Sequence, residues 1–298
     1  MRIELAWGGL RRWYLTTFRP AYVVRMRALR RGEPQGCPHD VLDPRDLKYY
    51  RNQSGCHWDR GDDPFVWRDR LPVARAGLAE LVLLGGTCLL IAAAASFVFW
   101  PASIVFLAFA IVITWFFRNP RRNIPQDPGL VVSPADGVVV SVEDMPHDQV
   151  MDGQFIDGPV IVVAIFLSIF NVHINRLPVA ARIVGMRYRP GKFLNALRAA
   201  SARENEQLAV RLEEDAAPHR RMIVRQIAGA IARRIVCWVA PGERLDRGAQ
   251  FGMIKLGSRT ELVLPREEGL VVLVKPGDRV LAGSSVLVRY LSTTHEDD

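Results

Sequence analysis

The chain of 298 residues holds a carboxylate, an imidazole and a hydroxyl in three short polar motifs. Asp136 stands in Pro-Ala-Asp-Gly, His173 in Asn-Val-His-Ile-Asn-Arg, and Ser258 in Leu-Gly-Ser-Arg. Together these side chains are the set that activates a hydroxyl as a nucleophile. Each also has a plainer interpretation: Asp136 as the cap of an Asp-Gly turn, His173 as a structural residue at a strand end, and Gly-Ser as a common loop dipeptide.

The elements that must position these residues are predicted to be mainly β strands. Short apolar runs separated by Pro-Gly turns fill residues 118–298, and only Lys192–Glu206 has helical or irregular character. We therefore expect a compact β-barrel or sandwich-hybrid domain. The predicted strands are Leu130–Val132, Gly137–Val142, Val160–Leu167, Ala181–Tyr188, Met222–Ile227, Ile231–Val239, Phe251–Lys255, Glu261–Leu264, Leu270–Lys275 and Ser285–Tyr290.

A weak internal repeat lies in the second half of this β region. Pro241–Gly248 matches Pro276–Gly283, each with Pro-Gly, an acidic residue, an Arg and a second Gly. The pattern predicts the same turn twice. Similar turns occur in lipoyl- and biotinyl-carrier domains, a likeness of fold that says little about chemistry. A carrier role is disfavoured because the turn tip lacks a lysine.

A long apolar run indicates that the protein is attached to a membrane. Ala76–Phe117 has 42 residues, of which Glu80 alone is charged. One helix of that length would measure about 63 Å, about twice a bilayer core of about 30 Å. Since Trp100-Pro101 divides the run, we expect a membrane helical hairpin, Gly77–Phe99 and Ala102–Phe117. A shallow re-entrant hairpin and a buried hairpin of a soluble protein are the alternatives.

Charge supports the membrane interpretation and suggests an orientation. Arg75 precedes the hairpin and Arg118, Arg121 and Arg122 follow it, so the positive-inside rule places both ends in the cytoplasm. The net charge is +8, and residues 1–75 hold 15 Lys and Arg against 9 Asp and Glu. This basic N-terminal extension either meets anionic lipid through Arg11–Tyr14 and Arg25–Arg31 or is a solvated appendage.

Composition excludes several protein classes. The chain is 49% hydrophobic and 23% charged, which argues against disorder, and its four cysteines argue against a disulfide-stapled scaffold. Cys37, His39, Cys56 and His57 could supply four zinc ligands, but their spacing matches no strong zinc-finger pattern. We therefore predict no metal site and leave those four residues open.

The three motifs, placed after an apolar hairpin that ends in Phe-Phe-Arg-Asn-Pro, resemble the phosphatidylserine decarboxylase proenzyme family in its shorter, archaeal-type branch. Phe251–Arg259 is the most specific of them, and the resemblance covers about residues 76–298. It implies a membrane-bound lyase that converts phosphatidylserine to phosphatidylethanolamine and CO2, with no nucleic-acid partner.

The resemblance also implies a covalent pyruvoyl cofactor made from Ser258. Its hydroxyl would attack the Gly257 carbonyl and form an ester, and elimination and hydrolysis would leave a pyruvoyl group. A large chain, 1–257, and a small chain, 258–298, would remain as a heterodimer. His173 would serve as base, oriented by Asp136, and later as proton donor to the carbanion. The pyruvoyl carbonyl would form a Schiff base with the substrate amine and act as its electron sink.

This chain departs from the longer bacterial branch of that family at two positions. That branch has a second His where Arg176 stands and an acid where Asn171 stands, which leaves His173 as the one candidate for both roles. Arg176 becomes a candidate contact for the lipid phosphate or carboxylate. Lys192 and Arg203 are further candidates, or else solvated loop cations.

Two other classes of protein compete with the decarboxylase. One is an unprocessed, membrane-anchored hybrid-barrel binding protein, in which the Pro-Gly turns are only scaffold. The other is a membrane-tethered metallopeptidase, disfavoured because no second histidine lies near His173. Cleavage between Gly257 and Ser258 would separate the decarboxylase from both.

Overall fold

The computed structural model of the chain describes residues 2–37, 39–49, 54–148, 155–230, 234–255 and 257–291. It opens with two helices, α1 (Arg2–Phe18) and α2 (Pro20–Leu29). Arg11 on α1 pairs with Asp43 at 2.8 Å and also with Asp46, and both carboxylates are buried. The charge of Arg11 is thus satisfied inside the extension, so this arginine does not act as a free lipid contact.

The structure of the N-terminal extension does not support a zinc site at the cysteines and histidines left open above. No group of three or more His, Cys, Asp or Glu side chains suited to a metal ion occurs in the part of the chain that the structure describes. Cys56 is buried in an apolar cluster with Met26 and Leu47, where Cys37 packs as a partly buried neighbour. These cysteines therefore contribute to a small hydrophobic core.

A helical hairpin follows the extension. A 3-10 turn (Arg75–Gly77), α3 (Leu78–Glu80), a π turn (Leu81–Gly85) and α4 (Gly86–Val98) run on as one 24-residue helical segment. This segment is apolar and long enough to cross a membrane, and only 11% of its most apolar window is buried. The second leg, α5 (Trp100–Phe116), has 17 residues.

The chain reverses at Phe99, one residue before the predicted break. Phe99 has the non-helical angles φ −151° and ψ 87°, and α5 begins at once with Trp100 and Pro101. Proline is favourable in the first turn of a helix, because its missing N–H would have no helical partner there. The proline that signals the break is thus the start of the second helix.

The rest of the described chain is built from fourteen strands in three sheets. The large sheet has the order β13-β2-β3-β11-β7-β6-β5-β9, and two three-stranded sheets have the orders β1-β14-β12 and β4-β10-β8. The strands are β1 (Leu130–Val132), β2 (Gly137–Met145), β3 (Val160–Leu167), β4 (Ile174–Arg176), β5 (Ala181–Arg189), β6 (Gln207–Glu214), β7 (Arg221–Ala228), β8 (Ile235–Cys237), β9 (Arg244–Leu245), β10 (Gln250–Ile254), β11 (Ser258–Pro265), β12 (Leu270–Val272), β13 (Arg279–Val280) and β14 (Val286–Tyr290). The helix α6 (Ser201–Glu204) lies before β6.

The fold class is confirmed as mainly β, and the finer barrel or sandwich arrangement stays a prediction. The pairings among the described residues do not close the large sheet into a barrel. β3 and β11 lie in the middle of that sheet with side chains covered on both faces; β3 is a continuous apolar run, whereas the first four residues of β11 are polar and nevertheless buried.

The internal repeat forms the two edges of the large sheet. Its copies contain β9 and β13, the last strands at either side. Gly242 and Gly277, the first glycines, have φ +89° and +99°, values that glycine adopts at no steric cost. The second glycines meet, since a Cβ on Gly283 would lie 3.6 Å from Cα of Gly248. The predicted repeated turn is therefore confirmed.

Candidate active site

Strand pairing brings the three sequence motifs together. β4 of the histidine motif pairs with β10 of the serine motif, with Ile174 opposite Met253. The Asn175 side chain donates to the Pro134 carbonyl at 3.2 Å, which joins the carboxylate motif to the other two. The same amide donates to Thr260 Oγ1 at 3.1 Å, two residues after Ser258. From a buried position, Asn175 thus connects the histidine motif to the carboxylate motif and to the residue that directly follows the serine motif.

His173 is fully buried and both of its ring nitrogens are engaged. Nδ1 lies 2.9 Å from the Asn171 carbonyl, so it must carry the proton and donate. Nε2 is then unprotonated and accepts the Gly257 N–H at 3.2 Å. This assignment follows from the hydrogen bonds rather than from visible hydrogens. The lone pair of His173 is therefore directed at the segment that contains the predicted cleavage bond.

The environment keeps the His173 imidazole neutral. Burial is the main cause that lowers its pKa to about 4; the bond to Asn171 opposes this shift, and the nearby charge of Arg118 adds to it. Because the imidazolium is disfavoured, Nε2 stays unprotonated at neutral pH, and its lone pair accepts the Gly257 N–H.

The predicted cleavage bond has the geometry of a constrained turn. Gly257 has φ +62°, in the left-handed region, and β11 begins at the next residue. Ser258 is fully buried, and its Oγ has no hydrogen-bond partner among the residues that the structure describes. A buried hydroxyl without a partner is costly in a protein interior, which is consistent with a hydroxyl kept for a reaction.

A second glycine, Gly229, lies against the Gly257 carbonyl. A Cβ at Gly229 would stand 2.1 Å from the carbonyl oxygen of Gly257, closer than atoms can approach. Position 229 therefore needs glycine so that the backbone can pass beside the scissile peptide. Nothing in the local sequence around Gly229 suggested this contact.

Asp136 is buried at the start of β2, and its described hydrogen bonds go to Arg122 and Ala282. Its Oδ2 accepts from the Arg122 guanidinium at 2.6 Å, and its Oδ1 accepts the Ala282 N–H at 2.8 Å. Burial raises the pKa of Asp136, and both partners oppose that rise. The donor at His173 Nδ1 goes instead to Asn171, so orientation of His173 by Asp136 stays a prediction.

The structure gives different surroundings to the three candidate substrate-binding residues. Arg176 is buried, and its guanidinium donates to the carbonyls of Gly248 at 2.9 Å and Pro120 at 3.3 Å. Lys192 is exposed and pairs with Glu204 at 2.8 Å, and Arg203 is exposed beside that glutamate. Arg176 thus holds two loops together, and the other two lie at the surface.

The end of the hairpin that contacts the β sheets, called its foot, forms one wall of the site. The Phe116 ring lies 4.6 Å from the His173 ring, centroid to centroid. Phe116 and Phe117 share an apolar cluster with residues of β4, β8 and β10. Glu80 forms a close ion pair with Lys255, two residues before Gly257, and lies 3.8 Å from Arg234.

Sequence reasoning assigned no active-site role to these hairpin residues. It treated the hairpin as an anchor separate from the three motifs. Glu80 was the available signal, because a single charge in an apolar run must have a partner if it is partly buried.

Comparison with known proteins agrees with this geometry. A family model described as phosphatidylserine decarboxylase matches residues 109–288, which contain all three motifs and the last turns of the hairpin. The chain belongs to the phosphatidylserine decarboxylase family. The predicted family is therefore confirmed.

Curated members of the phosphatidylserine decarboxylase family cover most of the chain. The phosphatidylserine decarboxylase proenzyme of Rhodopirellula baltica is 49% identical over 248 residues, which are 82% of this chain and 99% of the relative. The proenzyme of Symbiobacterium thermophilum is 46% identical over 68% of this chain and 91% of its own. That of Carboxydothermus hydrogenoformans is 42% identical over 74% and 98%.

The ring contact between the hairpin and the decarboxylase site can be tested with Phe116→Ala. We expect self-cleavage to slow by about threefold to tenfold, because an aromatic pair is worth about 0.5–1.5 kcal/mol beyond its burial and the His173 ring loses its support. The rate is measured as loss of the precursor band on a denaturing gel. Phe109→Ala on the exposed face of α5 is the matched control and should cleave like the parent. Equal rates in both variants would show that Phe116 does not support His173.

Proposed function

We propose that the chain makes its own pyruvoyl group at Ser258 and uses it to decarboxylate phosphatidylserine. The observation that carries this proposal is the hydrogen bond from the Gly257 N–H to the unprotonated Nε2 of His173, directly before Ser258, whose Oγ is buried and unpartnered in the described structure. The family membership supports the decarboxylation of phosphatidylserine, and a serine after a glycine beside a neutral histidine fits the formation of a pyruvoyl group.

Cleavage would begin when Ser258 Oγ attacks the carbonyl carbon of Gly257. A C–O bond forms and the C–N bond between the two residues breaks, giving an ester and a free amine at residue 258. His173 Nε2 takes the hydroxyl proton and returns it to the departing nitrogen, so no proton is gained or lost. Gly257 has a positive φ, and the backbone of Gly229 lies against its carbonyl oxygen, which together fix the orientation of the peptide to be attacked.

Elimination of that ester would release Gly257 as a carboxylate, and addition of water with loss of ammonia would leave the pyruvoyl group. Its carbonyl supplies an electron sink when the carboxylate of a bound amino acid leaves as CO2. In this second reaction His173 would hold the proton that replaces CO2. Its buried position keeps bulk water away from that transfer.

The two chains would stay together after cleavage. β11 begins at Ser258, and it is paired to β3 over eight residues and to β7 over six, so the small chain supplies a central strand of the large sheet. β14 and β13, also from the small chain, pair with β1 and β2 of the large chain. A heterodimer of residues 1–257 and 258–298 is therefore the expected mature form.

We propose three functional regions with the predicted boundaries. Residues 1–75 form the basic extension, residues 76–117 the membrane hairpin, and residues 118–298 the catalytic domain, on the cytoplasmic side of the cell membrane. The long apolar segment that includes α4 supports membrane association, and the arginines at both feet of the hairpin support the orientation.

Mass spectrometry and carbonyl reagents test the proposed cofactor. The purified protein should consist of chains of 257 and 41 residues, the smaller one without a free α-amine. Hydroxylamine or borohydride should abolish decarboxylation, because both react with a carbonyl, and a chelator should have no effect. An intact 33.5 kDa chain without activity would refute the proposal. Loss with a chelator alone would favour the metallopeptidase.

Asp136 is tested separately by Asp136→Ala and Asp136→Asn. We expect the alanine variant to mature at least tenfold more slowly, because the partly buried Arg122 loses its counter-charge and the Ala282 N–H its acceptor. Asparagine keeps an acceptor for Ala282 and should be intermediate. Precursor and product bands on a time-course gel give the rates. Wild-type maturation of Asp136→Ala would leave Asp136 as a turn cap only.

A further inference from the structure

An apolar turn projects from the protein between β3 and His173. Its two central residues, Ile169 and Phe170, are 44% and 69% exposed. These two residues are called the apolar tip here. Exposed apolar side chains mark a contact site when they are part of a contiguous apolar surface, so the surroundings of the apolar tip decide its meaning.

The apolar tip is presented by a well-ordered turn. Asn171 Oδ1 accepts both the backbone N–H of Ser168, at 2.9 Å, and its hydroxyl, at 2.7 Å. The backbone N–H of Asn171 in turn donates to the Ser168 carbonyl at 3.0 Å. A turn closed by three hydrogen bonds holds the apolar tip outward instead of letting it fold back onto the protein.

The apolar tip is continuous with the foot of the hairpin. The Arg118 guanidinium donates to the Phe170 carbonyl and to the Trp115 carbonyl, both at 2.8 Å. The same group lies 4.2 Å from the centre of the Trp115 ring, and that ring is 55% exposed. Tryptophan favours the boundary between lipid and water, so the apolar tip stands beside the level at which α5 would leave a membrane.

The same turn is joined at both ends to the reacting residues. Leu167, which precedes it, is the β3 residue paired with Ser258. Asn171, which ends it, orients His173 through its carbonyl. A surface that the apolar tip enters therefore lies only a few residues from Ser258 and His173, the residues proposed to react.

We propose that the apolar tip enters the lipid bilayer beside α5 and sets the active site at the depth of the phospholipid headgroups. The inference rests on the proposed function, since it gives that site its access to a membrane substrate. A bilayer fits the apolar tip because the neighbouring surface is the apolar hairpin, with Arg118 placed to meet phosphate at the boundary.

The test compares vesicles with dispersed substrate, using the full-length mature protein in phosphatidylserine-containing vesicles or mixed with short-chain phosphatidylserine. The double variant Ile169→Ser/Phe170→Ser should lower the ratio of vesicle activity to dispersed activity at least tenfold. Val271→Ser/Leu273→Ser removes two exposed apolar side chains elsewhere in the β region and should leave the ratio unchanged. Gel analysis of cleavage and the dispersed activity of the parent report on the proposed function independently.

A second measurement covers the case in which the serine variant does not fold. Phe170→Trp in vesicles of bromine-labelled phospholipid should show tryptophan quenching beyond that of the parent protein. An unchanged activity ratio, or no added quenching, would overturn the proposal. The proposal would also be overturned if Ile169→Ser/Phe170→Ser converted a dimer to monomers without changing the ratio of vesicle activity to dispersed activity. The apolar tip would then contact a second copy of the chain and not a bilayer.

Discussion

Ser258→Ala should stop self-cleavage completely, leaving a single 33.5 kDa chain without decarboxylase activity. The variant removes the Oγ that must attack the Gly257 carbonyl, a hydroxyl that is buried and unpartnered in the described structure. Alanine is smaller than serine by one atom, and Ser258 Oγ makes no hydrogen bond there, so the fold should be retained. The measurement is a denaturing gel with intact-mass analysis.

The chain supplies a matched control for this experiment. Gly283-Ser284 is its other Gly-Ser dipeptide, and Gly283 also has a positive φ, +78°. Ser284→Ala should mature and turn over like the parent, because no histidine nitrogen is bonded to that turn in the described structure. Cleavage that persists in Ser258→Ala, or fails in Ser284→Ala, would mean that the reacting bond lies elsewhere.

His173→Ala should slow maturation at least a hundredfold, since general base catalysis is worth about 10²–10⁴ in rate. The neutral imidazole is the active form, and its pKa is lowered to about 4 by burial. The cleavage rate of freshly synthesised parent protein should therefore be level from about pH 7 to pH 5 and fall as the pH drops through about 4. A fall centred near 6.5 would show a solvated histidine and contradict the buried arrangement.

A second histidine serves as the control for this position. His219 also has its Nδ1 close to a backbone carbonyl, that of Glu214 at 3.1 Å, but it lies in an exposed turn. Because its φ is +61°, asparagine is the suitable replacement there. His219→Asn should mature at the parent rate. Circular dichroism at each pH separates loss of catalysis from acid unfolding, which protonation of a buried histidine also promotes.

The sequence predicted a strand correctly where the side chains on both of its faces are buried. Val160–Leu167 was predicted with its observed bounds, because every residue is apolar and the strand is covered on both faces. β6 (Gln207–Glu214) was missed, because its ends are polar and Arg211 interrupts its short apolar run. Pairing with β5 and β7 makes it a strand, a contribution that no local propensity contains.

In the hairpin, too, the sequence predicted the elements but not the exact position at which they end. A run of 42 residues with one charge is too long for one bilayer crossing and too apolar for a typical soluble helix, so its two legs could be predicted. The position of the bend differed by one or two residues, since proline marks the first turn of the next helix more often than the last of the previous one.

Residue type and motif order by themselves determined the chemistry available to this protein: a serine after a glycine, one histidine, one carboxylate and an apolar anchor. Which groups meet was decided by tertiary structure. His173 contacts a residue 84 positions away, and Lys255 contacts one 175 positions away. Such contacts depend on strand pairing and on the packing of the hairpin against β4 and β10. The spacing of residues along a chain does not encode that packing, because each contact exists only after the whole sheet has formed.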